Sequence, residues 1–205
     1  MTSLTRASQD ACATALRRYR FVAKSRGLLL QPSGSGETSG WLGLNLATWS
    51  LPHVLHVNPV VGVRHRSLEA ILVSTAGWPA PVASVCRPLG YLTPQNTFLQ
   101  WDFSATDDLT AVAEDLATAV ATYGQPFIDK WSDWDAFSRD VADSGLLLDH
   151  DRHLVLPAVA AVNGDCEQAD HLIRQELDRT AGGQDAYSKG YRDFAQRFRQ
   201  TVLAH

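Results

Sequence analysis

Apolar residues in the first part of the chain recur at helical spacing. Leu4, Ala7, Ala11, Ala15, Leu16, Tyr19 and Val22 follow three- and four-residue steps, which predicts one amphipathic helix over residues 4–26. Arg17, Arg18, Arg20, Lys24 and Arg26 crowd its end, where cations suit unsatisfied backbone carbonyls, and Gly27 is placed to terminate it. The period then falls to two. After the run "LLLQPSGSGETSG", whose Pro32–Gly40 part reads as a loop between strands, "WLGLNLATW" alternates Leu42, Leu44 and Leu46 with Trp41, Gly43, Asn45 and Trp49. "HVLHVNPVVGVRH" keeps Leu55, Val57, Val61 and Val63 in phase, and Pro59, which has no amide hydrogen, marks a bulge or a sheet edge. "SLEAILVSTAG" interrupts with a short helix, capped by Ser67 and closed by Gly77. "ASVCRPLGYL" and "NTFLQWDFS" read as two more strands, the second with Thr97, Leu99, Trp101 and Phe103 on one face.

After Asp107 the helical period returns. "DDLTAVAEDLATAVATYG" puts Leu109, Val112, Ala113, Leu116, Val120 and Tyr123 on one face, opened by acids and closed by Gly124. Two short helices around Ser132 follow, and then three more, the last carrying the stripe Tyr187, Tyr191, Phe194, Phe198 and Val202. Short connections between strands favour antiparallel pairing. The expected fold is α+β: an N-terminal helix, a mainly antiparallel sheet with one inserted helix, and a helical C-terminal half. Residues 1–205 suit a single domain, with a sheet-containing half over 1–105 and a helical half over 106–205.

Charge adds a gradient along the chain. Residues 1–105 hold nine Lys/Arg against four Asp/Glu, and residues 106–205 hold nine against eighteen, within a net charge of −4. Such asymmetry suits a charged partner, or two halves that attract each other. Lys and Arg are too sparse in the first half to point to nucleic acid. No apolar run reaches the roughly 18 residues of a membrane span, and the N-terminus lacks the apolar core of a secretory signal, so a cytoplasmic protein is expected. Cys12, Cys86 and Cys166 are odd in number and far apart, as reduced and mostly packed thiols would be.

The candidate chemistry is sparse. "DHDRH" places His150 and His153 three residues apart, but no further ligands stand at metal spacing, and Asp149 and Asp151 suit a helix start. No metal or cofactor is expected. The chain has no GxSxG elbow, no P-loop and no GxGxxG. His53 and His56 in "HVLH" fall on opposite faces of a strand. "RHR" at 64–66 stands at a strand-to-helix junction, where an anion or an acidic partner could dock. Trp41 and Trp49, eight residues apart, would share a strand face with small neighbours and form a flat binding platform.

Two short motifs carry a family resemblance: "YGQPF" (Tyr123 to Phe127) and "GDCEQA" (Gly164 to Ala169). With the helix–sheet–helix order, they resemble an uncharacterised bacterial family carrying a domain of unknown function. The resemblance implies an α+β fold without established chemistry, and some proteins of this look serve as immunity or defence-associated partners. The leading expectation is therefore a non-catalytic protein that binds another protein, plausibly a basic one. The alternative is a small enzyme or a binder of anionic metabolites, with its site in the sheet half. The residues singled out for binding are Trp41, Trp49, His56, Arg64, Arg66 and Arg87.

Overall fold

The computed structural model describes residues 3–25, 27–32 and 36–204. Arg26 of the basic cluster and positions 33–35 of the Pro/Gly/Ser loop lie outside them. The architecture is α+β, and it divides into two compact units: Met1–Arg64 with Val85–Asp133, and His65–Ser84 with Trp134–His205. By sequence, the first unit carries nine Lys/Arg against nine Asp/Glu and the second nine against thirteen. The steep gradient along the chain is therefore much weaker between the compact units, because the acid-rich residues 107–133 fold with the first.

The first unit opens with α1 (Ser3–Leu16), which buries Leu4, Ser8, Cys12 and Leu16 on one stripe. Burial pushes the Cys12 thiol up to about 12, which leaves it inert. Cys86 and Cys166 are exposed rather than packed. The helix is shorter than the apolar period suggests. A 3-10 turn over Arg17–Tyr19 follows Leu16, Arg20 takes a left-handed conformation (φ 65°), and Phe21 is buried at the reversal. The chain then returns as β1 (Val22–Ser25), so Val22 and Lys24 are strand residues. An arginine is an uncommon choice for a left-handed cap, which is why the sequence hides this stop.

β1 pairs antiparallel with β2 (Leu28–Pro32), and β2 with β3 (Thr38–Ala47), which makes the expected hairpin. β4 (Val54–His65) lies next to β3 in the strand order. Its other edge is shared by two short strands in succession: β6 (Trp101–Ser104) pairs with Val54–Val57, and β5 (Val85–Pro88) pairs with Val60–Val63. Pro59 falls in the gap between these two ladders, where its missing amide hydrogen is tolerated. Leu42, Leu55, Val57, Val61, Val63 and Phe103 are all at most 1% exposed, as the alternation predicts. The strand expected over 96–104 forms only from Trp101, because residues 97–99 pack against Gly90 in a 3-10 turn over Leu89–Leu92.

α3 (Leu109–Ala119) starts where the Asp108 side chain accepts from the Thr110 and Ala111 amides at 3.0 and 3.2 Å. Gly124 does not end this helix. A wider π turn over Val120–Gly124 carries the chain directly into α4 (Gln125–Ser132). A Cβ on Gly124 would stand 3.0 Å from Val61 Cγ2, so its smallness serves helix-on-sheet packing.

The second unit consists of helices. α2 (Arg66–Ala76) has His65 rather than Ser67 at its cap position and ends at Gly77, as expected, with φ 72°. α5 (Trp134–Asp140) holds Trp134 and Phe137, which pack on buried His65 at ring-centroid separations of 5.2 and 4.5 Å. α6 (Asp149–Val162), α7 (Cys166–Arg179) and α8 (Ala186–Phe198) complete the unit, with Asp165 and Asp185 accepting from amides as N-caps of the last two. Tyr191, Phe194 and Phe198 are buried, as their stripe predicts.

Pro157 lies inside α6 and cannot donate to the carbonyl of His153 one turn earlier. The Tyr191 hydroxyl donates to that carbonyl instead, at 3.3 Å. Tyr191→Phe should therefore destabilise the fold by about 1–2 kcal/mol. In a Pro157→Ala background the same change should cost much less, because the new amide serves the carbonyl. Denaturant melts of the four proteins check this coupling; equal costs in both backgrounds would remove it.

Candidate functional site

The strongest polar constellation of the sheet unit stands where the chain passes from β3 to β4. β3 stops at Ala47. The Leu51 amide donates to the Thr48 carbonyl, and the His53 and Val54 amides donate to the Ser50 carbonyl, at 3.1–3.2 Å. Pro52 offers no amide for a ladder, so the strand cannot run on. Trp49 is thereby carried off the sheet to 78% exposure, and His53 lies in the turn instead of on the strand.

His56 is the third residue of β4, on the face opposite Leu55 and Val57. Antiparallel register places Asp102 of β6 directly across from it, at the spacing where paired side chains meet. His56 Nδ1 lies 2.6 Å from Asp102 Oδ1, and His56 Nε2 lies 2.9 Å from Ser50 Oγ. A carboxylate only accepts, so in the neutral ring Nδ1 carries the proton and Nε2 accepts from the Ser50 hydroxyl. Gln100 Nε2 donates to the same Asp102 oxygen at 3.0 Å and stands 3.1 Å from His56 Nδ1. The Trp49 indole stacks on the imidazole, with centroids 4.5 Å apart and planes 21° apart. His56 is left 8% exposed, while the Asp102 side chain remains 55% exposed.

The segment carrying Gln100 and Asp102 is itself held. The Thr97 amide donates to the Gly90 carbonyl, and the Asn58 side chain donates to the Leu99 carbonyl. At the first residue of β6, the Trp101 indole donates to Asp115 of α3 at 2.7 Å. A serine hydroxyl, an imidazole and a carboxylate thus form one fixed chain under an exposed indole. Such a chain can do two things: hold the indole rigidly, and move a proton off the hydroxyl.

Of the residues singled out from sequence, Trp49 and His56 meet here. Trp41 does not share their surface. It lies over Gly43, where a Cβ would come within 2.7 Å of its ring, and its indole nitrogen is buried without a partner among the described residues. The two tryptophans therefore form no common platform. Arg87 sits opposite Val61, and strand alternation puts Arg64 on the other face, so these two do not converge. Arg66 is the exposed first residue of α2, in the second unit. Ser50, Gln100 and Asp102 were not apparent from the sequence, because the turn before β4 brings the first to His56 and the β4–β6 register brings the other two.

The helical unit holds a second polar cluster. Glu176 of α7 is 2% exposed, accepts from Arg179 through both oxygens, and accepts from the Tyr187 hydroxyl of α8 at 2.7 Å. His153 Nδ1 of α6 stands 3.4 Å from it. Burial by itself would raise the Glu176 carboxyl, but the hydrogen bonds from Arg179 and Tyr187 and the nearby charges of His153 and Arg179 bring it below its ordinary value. Burial first, and then the neighbouring carboxylate, push the Tyr187 hydroxyl up to about 12. A cavity of about 300 Å³ opens beside Glu176, lined by Arg152, His153, Leu156, Leu172 and Arg179 among others. His150 pairs separately with Asp151 at 3.3 Å, so the two histidines of "DHDRH" face different carboxylates.

No helix among the described residues is long and apolar enough to cross a membrane. No protein-family model, no curated protein and no solved structure matches the chain.

Proposed function

We propose that the protein works by binding another protein, with Trp49 as its anchor. One observation carries this reading: an indole 78% exposed to solvent is nevertheless held flat, on an imidazole fixed through both of its nitrogens. Exposed aromatic side chains that lose little freedom on docking are the usual centres of binding energy. The exposed Asp102 carboxylate and the net charge of −4 favour a partner that presents basic groups. The finer assignment, an immunity-type or defence-associated factor, rests on the sequence resemblance. A cytoplasmic setting fits cysteines that are odd in number and far apart in the sequence.

The test is capture from extracts of the source cells at low salt, with wild-type protein and Trp49→Ala side by side. A partner retained by the first should bind the second about 30-fold more weakly, a loss of about 2 kcal/mol. Stability should change by less than about 1 kcal/mol, since the side chain is exposed. Capture that shows no dependence on Trp49 would remove this anchor.

A further inference from the structure

Beyond docking, we infer that Ser50 is an activated nucleophile, with His56 as its base and Asp102 as the group that positions the base. Serine hydroxyls are weak nucleophiles until a neighbour removes their proton at the moment of attack. The site meets the geometric requirement for that. Ser50 Oγ is 2.9 Å from the nitrogen that carries no proton in the neutral ring, and the opposite ring nitrogen donates to Asp102 at 2.6 Å. The order of hydroxyl, imidazole and carboxylate recurs on unrelated folds wherever serine performs acyl transfer. Trp49 covers one face of the imidazole and leaves it 8% exposed, which strengthens these hydrogen bonds by keeping water off the ring. The carboxylate lies across a strand pair, so it is held by the ladder as well as by Gln100.

The chemistry this permits is hydrolysis of an ester. Ser50 Oγ adds to the carbonyl carbon while its proton passes to His56 Nε2, and Asp102 holds the imidazolium that results. Collapse of the adduct breaks the bond to the leaving alcohol, which takes the proton from His56, and the acyl group stays on Ser50. Water then adds to the acyl-serine as its proton passes to the same nitrogen. That proton returns to Ser50 as the acid departs. Because Ser50 follows an indole on the outer turn, the substrate class is an ester presented at the surface, either a small activated ester or a group carried by a bound macromolecule. This inference takes up the alternative of a small enzyme with its site in the sheet half. It shares the His56 clamp with docking, but docking uses the outer face of Trp49 and this chemistry the Ser50 oxygen.

The probe is an alkyl fluorophosphonate, whose phosphorus bonds to an activated serine oxygen as fluoride leaves. Intact mass and peptide mapping should show a single adduct, on Ser50, that is absent from Ser50→Ala. His56→Gln should label at least about 100-fold more slowly. Asp102→Asn, at an exposed carboxylate that the fold tolerates more readily, should slow labelling comparably by releasing the wrong tautomer. Circular dichroism of each variant separates slow labelling from unfolding. Partner capture and adduct formation on wild-type Ser50 are separate readouts, so the two readings can fail independently. A wild-type protein that stays unlabelled, or labelling at the wild-type rate in folded His56→Gln or folded Asp102→Asn, would overturn the inference.

Discussion

Gly90→Ala is expected to be the most damaging single methyl addition in the sheet unit. A Cβ at this position would lie 2.1 Å from the Thr97 carbonyl oxygen and 2.7 Å from the Leu99 amide nitrogen. Both are backbone atoms and cannot rotate away. The segments must separate, yet the Gly90 carbonyl itself accepts from the Thr93 amide and hydroxyl and from the Thr97 amide. Forced separation of packed backbone with loss of these bonds should cost about 3 kcal/mol or more. The displaced segment leads directly into Gln100 and Asp102, so the clamp on His56 should loosen in whatever fraction still folds. A denaturant midpoint within error of the wild type would show that the two segments do not approach as described.

The second large effect belongs to Glu176. Glu176→Ala removes the acceptor shared by Arg179, Tyr187 and His153, and it should destabilise the helical unit by about 3 kcal/mol. The pH dependence has a definite sign. The folded carboxyl titrates below its unfolded value, so its contribution is complete above the unfolded value of about 4.3 and is lost as pH falls through the folded one. Wild-type stability should therefore drop with acid, and the difference between wild type and Glu176→Gln should shrink over the same interval. Parallel acid titrations of unfolding free energy check this. A gap that stays constant from neutral to strongly acid pH would mean that the carboxylate charge contributes nothing.

The sequence made the apolar skeleton legible. Leu42, Leu55, Val57, Val61, Val63 and Phe103 alternate and are buried, and Tyr191, Phe194 and Phe198 keep helical spacing and are buried. What it concealed lies where the chain changes direction. The helix over residues 4–26 breaks because Arg20 adopts a conformation usually left to glycine, and Gly124, a plausible terminator, is used for closeness to Val61. The strand expected to carry both tryptophans stops at Ala47, so Trp41 packs on Gly43 while Trp49 stacks on His56. His56 was singled out among the binding candidates of the sheet half. Asp102 and Ser50 were not, since one reaches it through a register 46 residues away and the other through a turn. Arg64, Arg66 and Arg87 attracted notice by charge, the first two also by standing at a strand-to-helix junction, and neither says in which direction a side chain points.

Docking on Trp49 and chemistry at Ser50 both require the His56 ring to be held from its two nitrogens. Long-range proton–nitrogen correlation NMR of the imidazoles, at a pH where His56 is neutral, measures this without any partner or substrate. The expected spectrum has a protonated Nδ1, facing Asp102, and an unprotonated Nε2, facing Ser50, with both signals moving in Asp102→Asn. A His56 ring protonated on Nε2, or averaging between tautomers as free imidazole does, would contradict the arrangement.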